Sequence, residues 1–298
     1  MNPATTRGKS RRSVQETIRP VRPEDAHACG RIIYEAFNGI AKRHAFPPDF
    51  PSAEVGVQLA QQFIRHPEIY GVVVEREGRV VGSNFLDERS AIRGVGPITV
   101  DPACQQSGVG RWLMEAVLER GRGAEGIRLV QDAFNVASYS LYTSLGFDAK
   151  EPLVLMQGRP KSAPHAGYTV RPMQTEDLEA CTALCTAVYG CARTGELRDA
   201  LKALKPFVAL RAGRLRAYAS SVTFWPLVTR NDVAGTFSDA MSNAYGFVTR
   251  RVARFFVELG SIIGWMGCCG KKQFVGSTGP GMTSTGILWL RSDRRRSA

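Results

Sequence analysis

Short apolar runs alternate with longer amphipathic stretches along the first half of this 298-residue chain. Apolar runs bounded by Gly, Pro or Asp predict strands, and stretches with apolar residues three and four positions apart predict helices. The predicted strands are residues 17–21, 70–75, 79–86, 92–100, 127–131 and 147–156, and the predicted helices are residues 23–37, 53–65, 108–120 and 137–145. Helices that alternate with strands in this way predict an α/β fold with a mixed sheet flanked by helices.

The beginning of this pattern returns in the second half of the chain. Residues 17–29 and 169–181 share seven of thirteen amino acids at one constant offset. A Gly-Arg turn at 78–79 and another at 213–214 each follow an apolar run, and they occur in the same order relative to the first match. The shared order favours a tandem duplication of one fold.

The duplication divides the chain into two predicted units. Residues 157–167, rich in Gly, Pro and Ser, are predicted to link a first unit at 16–156 to a partial second unit at 168–265. The second unit loses the pattern after Phe224, which fits a degenerate copy and equally fits an altered reading frame. The remaining residues are predicted to form two tails, a disordered basic one at 1–15 and a flexible, Gly- and Ser-rich one at 266–298.

Charge and composition exclude several classes of protein. The formal net charge is +12, yet residues 16–156 hold 15 basic and 18 acidic side chains, so the positive excess gives no indication of a nucleic-acid site in the first unit. No apolar run reaches the roughly 20 residues of a membrane-spanning helix. Seven cysteines without a Cys-x-x-Cys pair predict neither a zinc site nor a disulfide framework, and they favour a reducing, cytoplasmic location.

Two segments outside the first unit leave alternatives open. No apolar segment follows residues 1–15, so a secretory signal is not predicted, whereas a transit peptide stays an alternative to a plain disordered tail. A helix predicted over 240–265 places Arg250, Arg251 and Arg254 on one stripe. It is interpreted as a partly buried core helix, with a membrane-surface helix as the alternative.

The strand-to-helix loop within residues 98–111 has the features of an anion site. A strand that enters a helix through small residues leaves several backbone N–H groups unpaired at the positive end of the helix dipole. Such a place binds phosphate, and Gly108 and Gly110 let the backbone approach a diphosphate closely. Ser107 can add a hydroxyl or cap the helix, and Arg111 can add positive charge. Taken alone, the loop is more typical of a tight strand-to-helix turn than of an anion site.

A second segment, residues 135–147, combines a helix start, a tyrosine and a Gly-Phe pair that ends the helix. With the loop, it resembles the GNAT superfamily of acetyltransferases, whose loop has the pattern Gln/Arg-x-x-Gly-x-Gly/Ala and whose later helix has Asn-x-x-Ala/Ser-x-x-Leu-Tyr-x-x-x-Gly-Phe. The resemblance covers residues 16–156, and residues 225–298 contain neither motif. The matching residues are Gln105, Gly108, Gly110, Asn135, Ser138, Leu141, Tyr142, Gly146 and Phe147.

The resemblance implies a site for acetyl-CoA without a metal. Backbone groups of the strand 98–100 would hold the pantetheine arm, and one of their N–H groups would stabilise the oxyanion. Tyr142 would be the general acid that protonates the departing CoA thiolate. The expected cofactor-binding residues are Ile98, Thr99, Val100, Gln105, Gln106, Ser107, Gly108, Val109, Gly110, Arg111, Asn135 and Ser138.

The resulting prediction is an enzyme that moves an acetyl group from acetyl-CoA to a primary amine by direct attack on the thioester. The acceptor is expected to be an amine-bearing small molecule or protein. Glu88 and Asp101 are candidate general bases, although each is also a typical solvated turn residue and a water chain can serve instead. Tyr34, Phe37 and His44 lie where the family shapes its acceptor pocket, and a core role is the alternative for each. The alternative function is a non-catalytic CoA-binding protein whose basic second half binds a partner or nucleic acid.

Overall fold

The computed structural model describes residues 15–46, 48–132, 134–155, 167–219, 266–267 and 285–292. Its helices are α1 (Ala26–Arg43), α2 (Ala53–Arg65), α3 (Val109–Arg120), α4 (Val136–Ser144), α5 (Leu178–Tyr189) and α6 (Thr194–Ala203). Its strands are β1 (Glu16–Pro20), β2 (Ile69–Arg76), β3 (Arg79–Asp87), β4 (Ile92–Val95), β5 (Thr99–Val100), β6 (Gly126–Asp132), β7 (Asp148–Leu155), β8 (Tyr168–Pro172), β9 (Phe207–Arg211), β10 (Arg214–Ala219), β11 (Met266–Gly267) and β12 (Thr285–Ser292).

The larger sheet confirms the predicted mixed α/β fold. Its strand order is β1-β2-β3-β4-β6-β12-β7-β11, and β5 pairs with β3 beside this path. Strands β1 to β4 pair antiparallel, whereas β4 and β6 are parallel because helix α3 makes the crossover between them. The sheet is therefore mixed, as its alternation with helices predicts.

Alternation along β2 places one apolar core on each face of this sheet. Val72 and Val74 pack against α3, while Val73, one residue out of phase, packs against α1 and α2. The α3 side also contains buried residues of β6 and α4. Both faces of the sheet are thus covered by helices.

The strand predicted over 92–100 is two strands in the structure. Gly96 has a φ of 128°, and Pro97 has no backbone N–H to donate to a neighbouring strand. Strand β4, which pairs with both β3 and β6, therefore ends at Val95, and at Thr99 the chain resumes pairing with β3 alone. This break is the origin of the cavity described below.

A smaller sheet contains β8, β9 and β10, all antiparallel, in the same spatial order as β1, β2 and β3. Each sheet has an arginine paired through both Nη atoms with an aspartate six residues later. These pairs are Arg19 with Asp25, at 2.7 and 2.9 Å, and Arg171 with Asp177, at 2.6 and 2.8 Å.

Two predicted boundaries differ from the structure. Helix α1 continues past residue 37 to Arg43, and its last turn carries basic residues that complement the negative end of the helix dipole. Residues 285–292, predicted within a flexible tail, form β12 between β6 and β7 because their apolar run at 287–290 favours a strand.

The helix predicted over 240–265 lies outside the described residues. None of the described helices is both long enough and apolar enough to cross a bilayer.

Candidate functional site

The two central strands of the larger sheet diverge and open a cavity. Parallel pairing of β4 with β6 ends at Val95 and Leu129. Beyond this point the chain at 96–100 turns toward β3, whereas β6 continues beside β12. A cavity of about 590 Å³ lies between the separated segments. Its volume is in the range of sites that bind small molecules and cofactors.

Most of the predicted site residues line this one cavity. They come from the β4–β5 segment, the loop before α3 and the start of α4, three parts of the chain that the fold brings to one end of the sheet. The predicted residues in the lining are Ile98, Thr99, Val100, Gln105, Gln106, Gly108, Gly110, Arg111, Asn135, Ser138 and Tyr142.

The structure does not bring Ser107 and Val109 to the cavity lining. The Ser107 hydroxyl donates to the carbonyl oxygen of Cys104 at 2.6 Å and accepts from Nη2 of Arg76 at 3.1 Å, so it closes the turn rather than capping α3. The Val109 side chain is buried in the core. Any contribution of Val109 to a ligand therefore comes from its backbone N–H.

The two loop glycines have different structural roles. Gly108 begins α3 with a φ of 92°, a left-handed conformation that strains residues with a Cβ. Gly110 lies inside the helix, where an added Cβ would meet Leu141 Cδ2 at 3.6 Å and Val100 Cγ2 at 3.8 Å, both ordinary contacts. Conformation therefore requires glycine at 108, whereas the site at 110 has room for a methyl group.

The polar side chains of the loop and of α4 hold the two helices in place. Arg111 Nη2 donates to the Ser144 hydroxyl at 2.7 Å and so ties α3 to α4 at the cavity rim. Asn135 caps α4, since its Oδ1 accepts from the backbone N–H of Ser138 at 3.3 Å. These contacts orient the helix that carries Tyr142.

Tyr142 is 6% exposed and packs edge-on against Phe147, with the ring centroids 6.3 Å apart. Burial raises its pKa to about 12, and a hydrogen bond with Ser138 opposes the shift. The phenol is therefore protonated throughout the physiological range and can act only as a proton donor. Transfer to a thiolate of ordinary pKa near 8.5 is uphill by roughly 5 kcal/mol, unless the same dry environment also raises the thiol pKa.

The two carboxylates proposed as general bases do not line the cavity. Glu88 accepts from Arg93 at 2.6 Å and from Arg120 at 2.9 Å. Asp101 accepts from the backbone N–H of Ala103 at 2.9 Å and so stabilises the turn after β5. Both predictions are therefore without support in the geometry of the site.

The carboxyl end of β6 supplies two cavity-lining polar residues that the motifs do not include. Gln131 is 8% exposed, and neither atom of its amide has a hydrogen-bond partner among the described residues. Asp132 follows it at the end of the strand. Polar residues that directly follow an apolar strand are the feature that could have identified them, since ligands bind at the carboxyl ends of strands in open α/β sheets.

The wall opposite the loop is formed by α1 and by the residues after β6. Of the three residues predicted to shape an acceptor pocket, Phe37 and His44 line the cavity and Tyr34 does not. The Phe134 ring stacks on Phe46 at 4.4 Å between centroids and lies 5.0 Å from His44. Aromatic contacts therefore join the segment after β6 to the end of α1.

Two carboxylates near this wall have raised proton affinity. Burial raises the pKa of Asp132 to about 6. Burial, and then the charge of Asp132, raise the pKa of Asp49 to about 7. Both groups therefore change charge near neutral pH. The described residues include no cluster of three or more His, Cys, Asp or Glu suited to a metal ion.

Comparison with known proteins places this site in a family context. Residues 35–147 match the family model described as the acetyltransferase (GNAT) family. The structure is similar to an acetyltransferase candidate from Pyrococcus horikoshii, with 16% identity, 96% of this chain and 92% of that chain covered, and a TM-score of 0.55. It is also similar to a GCN5-related N-acetyltransferase from Sphaerobacter thermophilus, with 15% identity, 93% and 95% coverage and a TM-score of 0.53. No curated protein matches the chain.

These comparisons bear on the first unit and on the fold. The matched range includes both motifs, from Gln105 to Phe147, and residues 35–147 are thus supported as a GNAT acetyltransferase domain. At such low identity the two structures show the fold alone, which is GNAT-like.

Proposed function

We propose that the cavity binds acetyl-CoA and that the protein transfers its acetyl group to a primary amine. The observation that carries this proposal is the meeting, in one cavity, of an N-terminal helix end, a separated strand segment and a buried tyrosine. The first supplies an anion site, the second supplies backbone hydrogen bonds, and the third supplies a proton. Together they would bind the cofactor, position its thioester and protonate the departing thiolate.

The loop before α3 is proposed to bind the diphosphate of the cofactor. The N–H groups in the first turn of a helix have no acceptor within the helix, and the helix dipole favours an anion there. The left-handed backbone at Gly108 starts this turn without a Cβ. Gln105 and Gln106 are proposed to contact the same part of the cofactor, and Arg111 adds positive charge at the rim.

The segment 98–100 and α4 are proposed to hold the reacting end. Residues Ile98 to Val100 would hydrogen-bond the pantetheine arm through their backbone, with one N–H directed at the thioester oxygen. A donor in such a position is worth about 2.7–4 kcal/mol in other enzymes. Tyr142 would then protonate the departing thiolate. Ser138, which hydrogen-bonds its phenol, helps to orient it, and Asn135 holds the start of the same helix.

The second half is proposed to be a degenerate copy of the first unit that has no cofactor site of its own. The repeated strand order and the repeated Arg–Asp pair of the two sheets support common ancestry. The chain would then bind one acetyl-CoA. Whether the acceptor amine belongs to a small molecule or to a protein is left to the experiment.

An acetylation assay with a panel of primary amines tests the proposed function. Wild-type protein should consume acetyl-CoA and produce CoA thiol with at least one amine. Tyr142→Phe should lower kcat by roughly 10²–10⁴-fold while acetyl-CoA affinity, measured by calorimetry, changes little. Tyr139→Phe, on the same helix, is the matched control and should retain turnover. Acetyl-CoA binding without turnover on any amine would instead favour the non-catalytic alternative.

A further inference from the structure

We propose that Asp132 forms the acceptor-amine site, where it takes a proton from the substrate ammonium at the cavity wall, and that Asp49, on the loop between α1 and α2, is a positioning residue. This inference rests on the proposed function, because it names the group that prepares the amine for attack. It also specifies the acceptor, which must present a cationic ammonium to this wall.

The first argument is the position of Asp132 relative to the other cavity groups. Among the described residues that line the cavity, Asp132 alone carries a carboxylate. Tyr142 lines the same cavity ten residues later, on the helix that follows. A base and an acid are thus available in one cavity, whereas Glu88 and Asp101 are outside it. Direct proton transfer requires such proximity.

The second argument is the unpartnered amide of Gln131. A buried amide without hydrogen bonds destabilises the fold, so an amide kept in a cavity wall indicates a ligand that completes its hydrogen bonding. Gln131 directly precedes Asp132 on β6, and both line the cavity. The amide therefore indicates that a polar ligand occupies the cavity that Asp132 also lines.

The third argument is the enclosure of the two carboxylates. Asp49 lies between α1 and α2 and close enough for its charge to interact with that of Asp132. The ring stack of Phe134 on Phe46 joins the residues after Asp132 to those before Asp49. The other charged or titratable groups that line the cavity are Arg43 and His44, from the end of α1, and Arg111 and Tyr142, from α3 and α4.

Like charges held together in a partly buried place disfavour the doubly ionised state. An ammonium bound at Asp132 relieves the repulsion, so the site suits a cation better than a neutral ligand. The raised pKa values also fit the role of a base, since a carboxylate of pKa near 6 retains a proton far better than one near 4.

The proton balance of the step is complete. The ammonium gives one proton to Asp132, and the neutral amine forms a C–N bond with the thioester carbonyl carbon. The C–S bond then breaks, the thiolate takes a proton from Tyr142, and the phenol is restored by the second proton that the nitrogen loses. The products are the amide and CoA thiol, and Asp132 releases its proton to water.

Binding of a simple amine tests the site independently of acetyl transfer. We would titrate full-length protein saturated with CoA with n-butylamine, and with n-butanol as the neutral control, by calorimetry at pH 8 and pH 5. Butylamine should bind about tenfold more weakly at pH 5, because Asp132 is then mostly protonated. Butanol should bind weakly and without this pH dependence.

Single substitutions test whether Asp132 and Asp49 cause the pH dependence of butylamine binding. Asp132→Asn should weaken butylamine binding at pH 8 by tenfold or more and remove the acidic limb of the kcat/KM profile, and Asp49→Asn should shift that limb to lower pH. Glu125→Gln, an exposed carboxylate elsewhere on the domain, should change neither measurement.

Three results would overturn the proposal: no butylamine binding by wild type at either pH, unchanged binding in Asp132→Asn, or loss of the pH dependence in His44→Gln alone. If the wild type binds butylamine as expected but acetylates no amine, the proposed function fails and the amine site stands.

Discussion

The guanidinium of Arg128, on the cavity-forming strand β6, donates a hydrogen bond from Nη2 to Oε1 of Glu196, on helix α6, at 3.0 Å. Arg128 lies four residues before Asp132 and on the same face of β6. Helix α6, which follows β8 in the chain, therefore packs beside the strand that forms one wall of the cavity. The two halves of the chain therefore contact each other at β6, a strand that supports the candidate site.

Glu196 is expected to be important for stability because it neutralises two buried arginines. It accepts from Arg128 and also from Arg193, and all three side chains are nearly inaccessible to solvent. Glu196→Ala would remove the carboxylate that pairs directly with both cations and should lower the free energy of unfolding by about 3–5 kcal/mol. Glu179→Ala, at an exposed position on α5, should change it by less than about 0.5 kcal/mol. Equal losses in denaturant titrations of the two variants would contradict the role given to Glu196.

The C-terminal strand is expected to be necessary for cofactor binding. Strand β12 pairs Ile287 with Asp132 and Leu290 with Leu129, so its backbone supports the cavity-lining part of β6. A chain ending at residue 284 would expose the edges of β6 and β7. We expect acetyl-CoA affinity to fall at least tenfold in calorimetry and aggregation to increase. Affinity equal to that of the full chain would show that β12 is dispensable.

Local patterns predicted most elements of the first unit, because helix and strand periods and turn residues are properties of adjacent positions. The helix over 53–65 and the turn after β2 were predicted within a residue of their observed bounds. Strand β12 could not be predicted in its place, since its partners lie about 150 residues earlier and nothing local specifies them. All the cofactor-binding residues predicted from the sequence lie before residue 157, so sequence alone predicts that a chain ending at residue 167 binds acetyl-CoA. A loss of affinity on removal of β12 would contradict that prediction.

The candidate site, like the fold, could be predicted only in part from the sequence. The loop and α4 have recognisable spacing, so sequence alone identified them. The proximity of Asp49 to Asp132 depends on how the α1–α2 loop packs against the end of β6, two segments 83 positions apart. Nothing in the spacing of either carboxylate indicates the other.

The two loop glycines should respond differently to the same substitution. Gly108→Ala places a Cβ on a left-handed backbone at the start of α3, and we expect it to distort the anion site and to weaken acetyl-CoA binding by tenfold or more. Gly110→Ala adds a methyl group at ordinary van der Waals distances from Leu141 and Val100, so acetyl-CoA affinity should stay within about threefold of the wild type. Calorimetry on both variants is the measurement. A larger loss for Gly110→Ala than for Gly108→Ala would contradict this account of the loop.

Substitution of Gln131 by an apolar residue should stabilise the ligand-free protein and weaken acetyl-CoA binding. Gln131→Met keeps the length of the side chain and removes a buried amide that has no partner among the described residues. We expect the free energy of unfolding of the ligand-free protein to rise by roughly 1 kcal/mol. Acetyl-CoA affinity should fall about tenfold, because a hydrogen bond to the ligand is lost. A variant with lower stability and unchanged affinity would show that the amide has a structural partner instead.

The stability of the protein should depend on pH through Asp49, in a direction that follows from its raised pKa. The pKa rises from about 3.8 in the unfolded chain to about 7 in the fold, so between these values the folded state binds more protons. Stability is therefore highest below pH 4 for this group and decreases as the pH rises toward 7. Asp49→Asn removes the ionisation, so the variant should match the wild type near pH 4 and exceed it by roughly 1–3 kcal/mol at pH 8. Thermal unfolding at pH 4, 6 and 8, with Glu125→Gln as the matched control, measures the difference. A gain of the same size at all three pH values would mean that the effect comes from packing rather than from the charge of Asp49.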